Sequence, residues 1–118
     1  MQPRGEKFRA ILAAELDDLI HDLKDAQSIY GERYRAGEVS GYVLMENTAV
    51  LEHEIAGVAG IRAALAETGL PVDATPEKVC GWFEKLCRDT IEHNGYPPGI
   101  LSFLTRRCGK VVKYVYEA

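Results

Sequence analysis

The 118 residues carry a formal charge of −4, with 47% apolar and 27% charged residues. This size and balance describe one ordinary globular domain over residues 1–118, exclude a disordered chain and argue against a dedicated nucleic-acid binder. Cys80, Cys87 and Cys108 form no disulfide framework; with no apolar leader after Met1 and no apolar run of bilayer length, the expectation is a cytoplasmic protein with packed, free thiols.

The first predicted helix covers residues 6–35. Leu12, Leu16, Leu19, Leu23, Ala26 and Tyr30 step by four and three, and Phe8, Ile11, Ile20 and Ile29 widen the stripe. That is the seam of an amphipathic helix. Asp17, Asp18, Asp22, Lys24 and Asp25 occupy its other side. Gly31 is the weak point, since glycine inside a helix costs about 1 kcal/mol against alanine, and the helix is free to end or bend there.

Gly37 suits a C-cap and Ser40 the next N-cap. The second helix, residues 41–67, has the seam Leu44, Thr48, Leu51, Ile55, Val58, Arg62, Leu65. Beside it run Ala49, Ala56, Ala59, Ala63 and Ala66, with Gly57 and Gly60 adjacent, small residues that would admit a close helix neighbour. Thr75 and Pro76 open the third helix, which carries Val79, Trp82, Phe83, Leu86 and Ile91 on one face and stops at Asn94-Gly95. After the Tyr96-Pro97-Pro98-Gly99 turn, Leu101, Leu104, Cys108, Val111 and Val115 predict a fourth helix. Its β-forming end, residues 111–118, leaves a short strand as the alternative. The fold expected is all-α: an antiparallel four-helix bundle built from a long helical hairpin and a shorter second hairpin.

The first two helices would be about 40–45 Å long and the last two about 27–30 Å. The end of the long hairpin should therefore stand uncovered, exposing Ile29, Tyr30, Tyr34, Tyr42, Val43, Leu44 and Met45. Within it, Tyr30, Tyr34, Tyr42, Leu44 and Met45 are the interface candidates, because a bare apolar and aromatic patch marks a contact surface. The small-residue stripe is the other surface considered. A fold-back at Gly31 would remove the overhang.

Three clusters could carry other chemistry. Asp18, His21, Asp22 and Asp25 share one helical face, as imidazole and carboxylates must to hold a divalent transition metal. Glu46 and His53 lie two turns apart beside Glu52 and Glu54, and Asp89, Glu92 and His93 close the third helix. No Glu-x-x-His occurs, as a di-metal carboxylate bundle requires, so no cofactor is predicted and a divalent metal stays the alternative. Arg106, Arg107, Lys110 and Lys113 make a basic strip on the fourth helix, against the single acidic Glu117 after residue 95. It would dock that helix on the acidic body, support self-association, or serve a nucleic-acid accessory protein. Phosphate loops, nucleophile elbows and paired-Cys motifs are absent from the sequence. The reading that follows is an interaction or assembly module, non-catalytic and outside the membrane, acting as a homodimer or with another protein. A metal- or small-ligand-binding bundle and a nucleic-acid accessory are the alternatives.

Overall fold

A computed structural model, describing residues 3–72 and 74–117, contains four helices: α1 (Arg4–Arg35), α2 (Gly41–Glu67), α3 (Pro76–Asn94) and α4 (Ile100–Tyr116). Their ends follow from local chemistry. The Ser40 hydroxyl accepts from the Val43 amide and the Thr75 hydroxyl from the Lys78 amide, each satisfying an otherwise unpaired N–H of a first turn. Gly37 and Gly95 adopt positive φ, 77° and 69°. At each, the amide one residue further on bonds back into the last turn, Glu38 to the Arg33 carbonyl and Tyr96 to the Ile91 carbonyl.

α1 continues helical through Gly31 to Arg35, so the hairpin does not fold back there. One helical turn before the C-cap, the seam and the Ala36–Glu38 cap hold it on both sides of the glycine. The β-forming stretch Val111–Tyr116 is helical too, because Val111, Val112 and Val115 are buried at helical spacing against the core. Ala118 lies outside the described residues, as do Met1, Gln2 and Asp73.

α1 and α2 lie antiparallel. Arg9 Nη1 donates to the Leu65 carbonyl at 2.9 Å, Arg62 Nε to Asp17 Oδ1 at 3.2 Å, and Gln27 Nε2 to the Thr48 carbonyl at 3.4 Å. Arg9 also supplies the cation that the last turn of α2 lacks in its own sequence. α4 returns along α1, with Lys7 over the Tyr114 ring and Arg4 over the Tyr116 ring. Tyr116 Oη donates to the Ala74 carbonyl at 2.8 Å, which ties the end of α4 to the segment before α3. The core is one cluster in which Phe8, Leu12 and Leu16 meet Val58, Ile61, Leu65, Phe83, Ile100 and Leu104, all fully buried.

The close approach to α2 differs from expectation. Ala49, Ala56, Ala59, Ala63 and Ala66 face outward and are exposed. The adjacent glycines do the work: a Cβ on Gly57 would sit 2.6 Å from Ile100 Cδ1, and one on Gly60 2.6 Å from Tyr96 Oη. The α3–α4 turn thus seats on Gly57 and Gly60, and that fixes how far the second hairpin reaches. Between Leu23 on α1 and Gly57 on α2 no described residue is buried.

Candidate functional site

The uncovered end comprises residues 24–35 of α1 and 41–56 of α2, about 18 and about 24 Å of helix. Val43, Val50, Gly57 and Ile61 follow one another at spacings of seven, seven and four, so they share one face of α2. Ile11, Asp18, Asp22 and Ile29 do the same on α1 at seven, four and seven. Low on the molecule these faces meet the second hairpin: Gly57 lies under Ile100, and Asp18 and Asp22 lie against Arg107. Higher up the same faces run on bare. Ile29 is 50% exposed and Val50 56%, with Val43 also exposed.

The residues singled out by sequence divide. Tyr30 and Leu44 are half-buried, at seam positions between the two helices. Tyr34 is exposed, with its ring beside Gly41. Tyr42 and Met45 are the most open, at 70% and 73%. Met45 is two residues from Val43, about 200° around the helix, and so points away from the bare face. The Tyr42 hydroxyl donates to Glu46 Oε1 at 2.7 Å, and that bond raises its pKa above the ordinary tyrosine value.

Two charges flank the bare face. Arg33, one turn beyond Ile29, stands 4.0 Å from Glu38 near the tip. Glu54, one turn beyond Val50, is half-buried, and burial pushes its carboxyl above the usual range. Among the described residues no cation stands beside it. The Gln27–Thr48 bond sets the register, so Arg33 lies toward the tip and Glu54 toward the base, about 18 Å apart along the hairpin. Val50 and Arg33 were missed because each is ordinary in sequence, and Glu54 was weighed only with Glu46, Glu52 and His53 as a ligand cluster. A seven-residue spacing through Gly57 was the available signal.

The acidic cluster on α1 divides between two partners. Arg107 Nη1 bonds Glu15 Oε2 and Asp18 Oδ2, both at 2.8 Å, and Nη2 bonds Asp22 Oδ2 at 2.9 Å. The Arg107 hydrogen bond holds the Asp18 carboxyl below its ordinary value, and the three carboxylates raise the Arg107 guanidinium. His21 instead faces Asp25 at 3.6 Å, both exposed. Glu46 is taken by Tyr42, His53 is exposed, and Asp89 pairs with Lys85 at 2.9 Å. Glu92 and His93 line a shallow cleft of about 740 Å³ between α2 and α3. Among the described residues no three His, Cys, Asp or Glu side chains converge as a metal would require.

The basic strip likewise divides. Arg107 turns inward to α1, whereas Arg106, Lys110 and Lys113 are exposed. The three cysteines gather on α3 and α4. Cys87 is buried, and burial pushes its thiol up to about 12. Cys108 is buried and shares one recess with half-buried Cys80; burial first, and then the Cys80 thiol, push the Cys108 thiol up. Among the described residues no helix is long and apolar enough to cross a membrane. Comparison with protein-family models, curated protein sequences and solved structures finds no match to the chain.

Proposed function

We propose that the protein is an assembly module that pairs with a second copy of itself through the bare end of the α1–α2 hairpin, in the cytoplasm and without catalysis of its own. The observation that carries this reading is the stretch between Leu23 and Gly57, in which nothing is buried, although on α2 the face that holds Gly57 and Ile61 in the core continues through Val50 and Val43, and on α1 the face that Arg107 covers continues through Ile29. A two-helix layer leaves its apolar face wet, and a second such layer covers it.

The occupant is a second copy because the charges are self-complementary. A two-fold axis near Val50 places the tip of each hairpin on the base of the other. That axis sets α1 on the partner's α1 and α2 on its α2, so Arg33 approaches the partner's Glu54 diagonally across the seam, and the reverse contact repeats it, as an isologous interface demands. Each tip would also reach the shoulder formed by the α3–α4 turn of its mate. Two faces, each about 20 Å wide and about 22 Å long, bury on the order of 1,000 Å², the lower bound for a specific interface.

Sedimentation velocity across a concentration series tests the reading. Wild type is expected to be dimeric, and Ile29→Glu with Val50→Glu monomeric with unchanged helicity. Arg33→Glu should weaken the dimer, and adding Glu54→Arg should restore it. A wild-type monomer at every concentration, or a dimer indifferent to all four substitutions, defeats the proposal. The metal alternative has fewer free ligands to draw on, since Asp18 and Asp22 are engaged by Arg107.

A further inference from the structure

We propose that Cys80 and Cys108 are an oxidisable dithiol, converted by a hydroperoxide into a disulfide that joins α3 to α4. The two side chains line one recess of about 220 Å³ between α3 and α4, together with Phe83, Glu84 and Thr105, and the neighbouring Cys80 thiol adds to the upward push on the Cys108 thiol. Cys80 is half-buried and Cys108 is 4% exposed, so the recess reaches solvent through Cys80. Gly81 and Gly109 follow the two cysteines, and a Cβ at either would meet nothing within 4 Å. The flanks of the pair are therefore open. A space of this size holds several molecules as small as water, which suits a small peroxide.

The exposure difference assigns the roles. Cys80 sulfur attacks the peroxide O–O bond; that bond breaks, the Cys80 thiol becomes a sulfenic acid, and the reduced oxygen leaves as water or an alcohol with the thiol proton. Cys108 then displaces the sulfenic oxygen, which leaves as water carrying the second thiol proton, and the S–S bond forms. Two thiols are oxidised and one hydroperoxide is reduced. Burial pushes the Cys108 thiol above its ordinary value, which leaves the first attack to the more exposed Cys80. Cys87, fully buried one heptad along α3 from Cys80, takes no part.

The test uses the wild-type protein as it stands. After dilute hydrogen peroxide and alkylation without reductant, intact mass should show the loss of two hydrogens in a single chain. Peptide mapping should find Cys80 linked to Cys108. Dithiothreitol should reverse it, and the melting temperature of the oxidised form should rise by roughly 10 °C, because the bridge closes a long loop. Cys87→Ser should behave as wild type, and Cys80→Ser or Cys108→Ser should lose the bridge. Three unchanged thiols, a Cys80 oxidised past sulfenic acid without a bridge, or a bridge between two chains would each overturn the proposal.

Discussion

Arg107 shows how much one side chain can organise. Its guanidinium, with 18% of the side chain exposed, bonds three carboxylates from successive turns of α1. Charge-assisted bonds at a planar fork are directional, so they fix the rotation of α4 as well as its distance. Arg107→Gln is expected to lower stability by about 1–2 kcal/mol in urea unfolding, modest because the carboxylates stay near water. Arg107→Lys should recover only part, lacking the fork. The pH dependence follows in sign. Asp18 is held below its ordinary value of 3.8, so its contribution is present above that value and is lost as pH falls through the lower folded value. Wild type should lose stability below pH 3.8, and Arg107→Gln should show a shallower acid limb.

Glycines separate what a helix wants from what its packing allows. Gly31 lies in the uncovered part of α1, and a Cβ there would meet only Arg35 Nη1, at an ordinary 3.6 Å. Gly31→Ala should raise the thermal midpoint through a gain of up to about 1 kcal/mol. Gly57 lies in the covered part of α2, and a Cβ there would fall 2.6 Å from Ile100, which is fully buried and has no room to retreat. Gly57→Ala should cost about 1–3 kcal/mol in spite of better helix propensity. If both variants were stabilised, the seating of the α3–α4 turn on α2 would be wrong.

The molecule measures 53 × 31 × 19 Å, a shape set by a hairpin longer than its cover. Amide exchange should divide it accordingly. Core turns around Leu12, Val58 and Leu104 should be protected to near the global limit, and residues 24–56 should exchange through local opening in dilute protein. Raising the concentration should protect residues 24–56 selectively if a second copy covers them. Salt should weaken that protection by screening Arg33 and Glu54. Exchange independent of concentration would count against the assembly.

The four helices, their caps at Ser40, Thr75 and Gly95, and the overhang itself were legible in the sequence, because apolar periodicity, capping chemistry and 1.5 Å per residue are local rules. The candidate surface was legible only in outline: Ile29, Tyr34, Tyr42, Val43 and Met45 are exposed at the bare end, whereas Tyr30 and Leu44 lie in the seam and Val50 was overlooked. What tertiary structure alone decided is which faces meet. The choice of Arg107, rather than Arg106 or Lys110, as the partner of Asp18 and Asp22 depends on the rotation of α4. The meeting of Cys80 with Cys108 depends on the register of α3 against α4, and the use of Gly57 and Gly60 in place of the alanine stripe depends on where the Tyr96–Ile100 turn lands. Each is a contact between residues distant in the chain, set by how two helices slide and turn until their side chains interlock, and a helix's own sequence carries no record of its neighbour's register.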